Sequence, residues 1–384
     1  MTRPRVLWIP HGAWHTLGGQ RQQHLASRLA DTFELHVISW RQPKTCTGLG
    51  GSRRYGWGAP TVHVHEVTLA PNVYRIAGRR YPPQWAVAPN QALFARHVRA
   101  VAAMGFAAGI FSSSHHFTGY PPLAHGFPWL FDYVDLSPPA VERRYCAAAA
   151  GVVAASPALA ERARPYGRPV TVIPNGVDPA PYRRADGRAV RAAIGAGAST
   201  VVSLIGLTCS PSLYFVDALA ALARTRPVLL LAVGDGPARR QIARRAQALA
   251  VPCVTPGWVE PAAIHPYFAA TDIGLYPGDD SPYFRAASPL KVLEYLATPR
   301  PVVSSAVDAW GALGLRGVVT APATPEGFAH AIDGLMDDRR WSPGGLESLT
   351  WDHLAGRLAE VLGRLVHTGR GADAVRPVAD AGGE

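Results

Sequence analysis

Lysine is almost missing from this chain: among 38 basic residues only Lys44 and Lys291 are lysines, and arginine supplies the rest. Cysteine is scarce as well. Cys46, Cys146, Cys209 and Cys253 lie far apart and form no C-x-x-C pair, which argues against a disulfide framework and against a cysteine zinc site. No uncharged apolar run reaches the about 18 residues that cross a bilayer. Met1-Thr2-Arg3-Pro4-Arg5 runs directly into a strand-like segment, without the apolar h-region of a secretory signal. Together these absences predict a reduced, cytoplasmic protein with no membrane anchor.

What is present is a globular composition, with 48% hydrophobic and 17% charged residues over 384 positions. Single cores stop growing at roughly 250–300 residues, so two domains are expected. The formal charge of +11 raises nucleic acid, an anionic membrane face or an anionic substrate as partners. The cations, however, are scattered singles and pairs such as Arg53-Arg54, Arg79-Arg80, Arg183-Arg184 and Arg239-Arg240. They form no stripe with interleaved aromatic platforms, so nucleic acid is not expected as a partner. Arg, Ala, Gly and Pro all come from GC-rich codons, and a high-GC bacterial source accounts for much of the excess.

Along the chain, short apolar runs alternate with amphipathic stretches. Val6–Ile9 reads as a buried strand, followed by Gly18-Gly19, a helix over 20–30 and a strand at Glu34–Ile38. That order opens a doubly wound parallel sheet. Residues 44–60, rich in Gly, Arg and Trp, read as a mobile loop. Further strands are expected at Ala108–Phe111, Trp129–Val134 and Gly151–Ala155. A second cycle follows Val172-Ile-Pro-Asn-Gly176, with strands at Val201–Ile205, Val228–Val233, Val254, Ile273–Tyr276 and Val302–Ser304. Its helices are expected at Leu213–Arg224, Arg239–Ala250 and Leu290–Ala297. The expected fold class is therefore α/β, two Rossmann-like doubly wound parallel-sheet domains facing across a cleft. The boundaries read as 1–175 for the first domain and 176–345 for the second. A C-terminal helix over 346–367 should pack back towards the first lobe, and 368–384 read as a disordered tail.

Chemistry concentrates in Ser288-Pro-Leu-Lys-Val-Leu-Glu294. Ser288 reads as an N-cap and Pro289 as the first helical residue. Free N–H groups and the helix dipole make such a start an anion site, suited to a diphosphate. Lys291 in the first turn opposes the dipole by up to about 1 kcal/mol, a penalty that a bound diphosphate reverses. Glu294 can accept the hydroxyls of a ribose, the role of an acidic residue in dinucleotide sites. The same residues also suit an ordinary surface helix. Val172-Ile-Pro-Asn-Gly-Val-Asp178 alone is a turn.

Taken in order, several segments resemble the retaining nucleotide-sugar glycosyltransferases of glycosyltransferase family four, the GT-B type with two Rossmann-like lobes. They are Gly18-Gly19, Val153-Ala-Ala-Ser156, Val172–Asp178, Leu231-Ala-Val-Gly-Asp-Gly-Pro237, Gly257-Trp-Val259, Thr271-Asp-Ile273, Ser288–Ala297, Arg300-Pro-Val-Val303 and Thr350-Trp-Asp352. The resemblance spans nearly the whole chain. It implies that Gly18 and Gly19 let the backbone approach the donor. Ser288, Pro289, Leu290 and Lys291 would hold the diphosphate, Glu294 the ribose, and the backbone at Trp258 and Val259 the base. His115 or His116 would stand near the transferred sugar, with Asp132 as a further catalytic candidate, unless Asp132 merely caps a strand end. Asp135 and Arg285 are candidates for the acceptor, and Arg285 also for the diphosphate.

The pattern departs from the family in three places. The acidic residue often found eight positions before Glu294 is Ala286 here. Gly206-Leu-Thr-Cys-Ser-Pro-Ser212 lacks the Arg and Lys that many members carry, leaving Lys291 and Arg285 as candidate cations. The small-Gly pair after the donor helix is Thr298-Pro299.

By resemblance the reaction is hexose transfer from an NDP-sugar, UDP-sugar favoured, with retention and without metal or other cofactor. The leaving diphosphate would help deprotonate the acceptor hydroxyl, and the lobes would close over the donor. Asp132, Asp135 and Glu142 would suit a cationic soluble acceptor such as an aminocyclitol in antibiotic (aminoglycoside-type) biosynthesis. A cell-surface polysaccharide or glycolipid acceptor, an inverting transferase or epimerase, and a non-catalytic sugar-nucleotide-binding protein remain as alternatives.

Overall fold

The structure, a computed structural model, describes residues 3–15, 20–41, 62–69, 84–112, 126–206, 212–279, 281–307, 309–337 and 343–369. Gly18, Gly19, His115, His116, the loop read at 44–60 and the tail from 370 onward lie outside these residues.

The chain forms two compact units, one of Met1–Ile173 with Leu354–Glu384, the other of Pro174–His353. The strands of the first are β1 (Arg5–Ile9), β2 (Glu34–Arg41), β3 (Val62–Thr68), β4 (Ala108–Ser112), β5 (Trp129–Tyr133), β6 (Gly151–Ala154) and β7 (Val170–Val172). They build one sheet in the order β3-β2-β1-β4-β5-β6-β7. The second unit holds β8 (Thr200–Ile205), β9 (Val228–Val233), β10 (Cys253–Gly257), β11 (Ile273–Tyr276), β12 (Val302–Ser304) and β13 (Val318–Thr320), ordered β10-β9-β8-β11-β12-β13. Every pairing between these strands is parallel.

A parallel sheet covered by helices on both faces requires strands that are apolar on both sides. Strand β9, Val228-Leu-Leu-Leu-Ala-Val233, is buried at all six positions. Alternation then divides each strand between two cores. Val202 and Leu204 of β8 join Phe215, Leu219 and Phe328 on one face, while Val201 and Ile205 join Phe268, Leu293 and Tyr295 on the other. Several elements are not apparent in the sequence, and two of them have a clear physical reason. Strand β3 is an edge strand with an alternating Val/His/Glu sequence and a half-exposed pattern. The helix Gln84–Ala102 carries Pro89 inside it, a residue that ordinarily breaks helices.

In both sheets the chain reverses direction of growth beside the first strand, between β1 and β4 and between β8 and β11. Ligands of doubly wound sheets bind at the carboxyl ends of the strands at such a point. In the second unit, β8 and β11 pair only at Val202–Ile273 and Ser203–Gly274. Beyond that, the hydroxyl of the fully buried Tyr295 takes over the ladder: it donates to the Ser203 carbonyl at 2.9 Å and accepts from the Ile205 N–H at 3.1 Å. Gly274 makes room for the ring, since a Cβ there would stand 2.6 Å from it.

Tyr295 thus bolts the helix Leu290–Ala297 to the parting point of the sheet. Tyr295→Phe leaves two buried backbone groups unsatisfied and is expected to cost about 1–3 kcal/mol. A lowered unfolding midpoint is the expected result, and an unchanged midpoint would contradict it.

Candidate functional site

The helix Leu290–Ala297 starts one residue later than its sequence suggests. Pro289, in extended conformation (φ −76°, ψ 126°), is the N-cap, so Ser288 lies outside the helix and caps nothing. No side chain caps this end, and no acidic residue sits in the first turn. The first-turn N–H groups therefore keep the donor capacity that α-helical geometry leaves without intrahelical partners. Ser288 has a different task. Its hydroxyl accepts from the Asn175 N–H at 3.0 Å, and its carbonyl accepts from the Asn175 side-chain amide.

Asn175 belongs to the Val172–Asp178 turn, which has no chemistry of its own in the sequence. The structure makes it a brace for the helix start. The short helix that follows the turn, Pro179–Arg183, adds a second brace: the Tyr182 hydroxyl donates to Glu294 Oε1 at 2.7 Å. Burial first, and then the Glu294 carboxylate, push the Tyr182 hydroxyl well above its usual range, so it stays a donor. The other Glu294 oxygen stands 2.8 Å from Lys291 Nζ and is buried without a well-formed hydrogen bond. A carboxylate has about four acceptor positions, so Glu294 keeps capacity for sugar hydroxyls. His265 packs edge-on to Tyr182, with ring centroids 4.7 Å apart. Burial holds its imidazole below the ordinary value, against the opposing pull of Glu294.

Around this helix start, the carboxyl ends of the strands are glycine-rich. Gly206 after β8 has φ +101°, and a Cβ on it would stand 3.1 Å from Lys291 Cε. The lysine stem therefore lies over bare backbone. Trp258 follows β10 and is 42% exposed, its indole N–H donating to Glu260 at 3.2 Å. Val259 packs into the core below. Arg285 ends the helix Pro282–Arg285, which Ser281 caps by accepting from the Phe284 N–H. Ala286 is buried. Thr298 ends the helix Leu290–Ala297 without a glycine: its hydroxyl donates to the Glu294 carbonyl at 2.8 Å.

In the first unit, Asp132 and Asp135 sit at the carboxyl end of β5, and Glu142 lies in the helix Pro139–Ala148 that follows. Asp132, 3% exposed, accepts from Arg21 Nε and Nη2, both at 3.1 Å, and from the Ser112 hydroxyl at 3.1 Å. Arg21 is itself 3% exposed, so the pair is buried on both sides. Glu142 accepts from Tyr133, Arg162 and Tyr166. Two of the three acids expected to meet a cationic acceptor are thus matched by arginines within the fold. Asp135 is partly exposed, 3.2 Å from His11 Nε2. Cys146 and Cys253 offer no nucleophile, because burial pushes their thiols up to about 12 and about 11. Among the described residues, Glu34, His36 and His63 bring their ligand atoms within 4.8 Å of one another. They were missed because their ligand spacing runs across two paired strands.

The comparisons agree with this architecture. Residues 18–181 match the family described as Glycosyltransferase Family 4, and residues 209–338 match the one described as Glycosyl transferases group 1. Each half of the chain thus matches a glycosyltransferase family, on the two-domain parallel-sheet fold of the GT-B enzymes. No curated protein matches it in sequence.

Among solved structures, it resembles Anabaena HepE in complex with UDP and glucose, with a TM-score of 0.68 at 17% identity over 94% of this chain and 100% of the other. It also resembles sucrose-phosphate synthase from Thermosynechococcus elongatus, with a TM-score of 0.70 at 17% identity over 95% and 100%. A third similar structure is an E. coli trehalose-6-phosphate protein bound with UDP-2-fluoro glucose, with a TM-score of 0.62 at 12% identity over 96% and 97%. At these identities the likeness speaks for the fold. No helix among the described residues is long and apolar enough to cross a membrane.

Proposed function

We propose that the protein is a cytoplasmic retaining transferase that moves a hexose-type sugar from a UDP-sugar to a hydroxyl of a soluble small-molecule acceptor. The observation that carries this reading is the uncapped start of the helix Leu290–Ala297, with Lys291 over Gly206 and Glu294 one turn on. The diphosphate sits on the first-turn N–H groups, the Lys291 ammonium moves from Glu294 towards it, and Glu294 takes the ribose hydroxyls. Trp258 and Val259 border the base. That HepE and the E. coli protein were solved with UDP or a UDP-sugar supports UDP as the nucleotide.

The glycosidic C–O bond to the diphosphate breaks with oxocarbenium character, and the departing charge is taken by the helix end and Lys291. A leaving phosphate oxygen receives the proton of the acceptor hydroxyl as that oxygen bonds to the anomeric carbon from the same face. Positioning does most of the work, and no side-chain nucleophile or metal is assigned to the step. The acceptor is proposed to be a polyhydroxylated compound of the aminocyclitol class, met by Asp135.

The test is a mass-spectrometric panel of UDP-sugars against aminocyclitols and neutral polyols, with proton NMR of the anomeric centre of any product. Transfer with retained configuration is expected. Inversion, or epimerised free sugar without transfer, would sink the mechanism. Tight UDP binding with no turnover across the panel would mark a sugar-nucleotide-binding protein instead.

A further inference from the structure

A second cluster of polar side chains lies in the first unit, far along the strands from the ligand end of its sheet. Strands β2 and β3 pair in parallel, with His36 opposite His63 and Ile38 opposite His65. Because side chains alternate along a strand, Glu34 and His36 of β2 share one face with His63 and His65 of β3. Glu34 opens β2 and His63 lies near the start of β3. The cluster therefore belongs to the amino ends of the strands, whereas ligands of such sheets bind at the carboxyl ends.

The geometry points to a site for one divalent transition-metal ion, zinc or a borderline ion like it, held by the Glu34 carboxylate, His36 Nε2 and a ring nitrogen of His63. Their ligand atoms all lie within 4.8 Å of one another, and the pair Glu34 Oε1–His36 Nε2 is already at 3.0 Å. Tetrahedral zinc with bonds of about 2.1 Å spaces its ligands at roughly 3.4 Å. His63 makes up the difference: it is exposed, its ring is stacked on His36 at 4.7 Å, and rotation about its side-chain bonds brings a nitrogen inward.

The surroundings supply what a metal-bound imidazole requires. With Nε2 on the ion, the other ring nitrogen should donate to an acceptor that fixes the tautomer. His36 Nδ1 is 2.8 Å from His65 Nε2, and the His36 ring is 3% exposed, so it is already held in this orientation. Arg5 Nε lies 3.3 Å from Glu34 Oε1 and serves as the outer partner of the ligating carboxylate. Two imidazoles and one carboxylate are a zinc-type donor set that leaves a fourth position for water. The chemical effect is a clip: the ion joins the edge strand β3 to β2, whose connection is the long segment 42–61.

The test uses the full-length, untagged protein stripped with a chelator, then titrated with Zn²⁺ by calorimetry and with Co²⁺ by visible absorption. One equivalent of Zn²⁺ should bind and raise the thermal midpoint, and Co²⁺ should give the intense visible bands of four-coordination. His63→Ala and Glu34→Gln change exposed or half-exposed groups and leave the fold in place. Each should weaken Zn²⁺ binding by about tenfold or more and remove both the midpoint shift and the Co²⁺ bands. No saturable binding, or binding that either variant leaves unchanged, overturns the site.

Discussion

Glu294→Ala is expected to weaken UDP binding by about 1.5–3 kcal/mol, roughly 10- to 150-fold, the worth of hydrogen bonds to a charged group. Calorimetric titration of UDP reads this directly. The substitution also leaves the Tyr182 hydroxyl without its 2.7 Å acceptor and Lys291 without its 2.8 Å counter-ion. A change in affinity alone would therefore not separate a binding role from a bracing one. The separation comes from 2′-deoxy-UDP. If Glu294 holds the ribose, the wild type prefers UDP over the deoxy analogue, and that preference disappears in Glu294→Ala. Tyr182→Phe, which removes only the brace, should retain the preference. Unchanged UDP affinity in Glu294→Ala would remove Glu294 from the donor site altogether.

The largest expected effect on stability lies in the other unit. Asp132→Ala strands the buried Arg21 guanidinium and is expected to destabilise the protein by about 3–5 kcal/mol, because breaking one side of a buried pair leaves an uncompensated charge. Arg21→Met combined with Asp132→Leu should recover most of that loss, since a buried ion pair can be replaced by apolar groups of similar volume at little or no cost. Chemical denaturation of the single and double variants measures both. The same series tests the catalytic role proposed for Asp132. A double variant that is stable and active would assign Asp132 to the fold alone. One that is stable but inactive would keep it in the reaction.

The parts that sequence reading reaches are those where one residue type reports on its own surroundings. Val228–Val233 is legible because a strand buried on both faces must be apolar throughout. Lys291 and Glu294 are legible because a helix start advertises itself through Pro, small polar residues and charge. Strand β3 is harder to read: Val62-His-Val-His-Glu-Val-Thr68 is half-exposed and lacks the continuous apolar run that marks the buried strands. The braces are hidden for another reason. Asn175 meets Ser288 across 113 positions, Tyr182 meets Glu294 across 112, and Arg21 meets Asp132 across 111. Polar partners at such separations leave no periodicity on either side, and each residue alone suits a turn or a surface. The position of the N-cap is a smaller case, one residue off, since Ser-Pro satisfies the capping rule while Ser288 is committed to Asn175.

Because Asn175 and Tyr182 enter the chain before β8 begins at Thr200, the second unit cannot be cut at its first strand. A chimera that exchanges donor halves between enzymes of this kind has to take its junction at or before Pro174, where the second unit begins. A junction placed nearer Thr200 would pair one parent's donor helix with the other parent's brace, and donor preference would then report on the mismatch rather than on either parent.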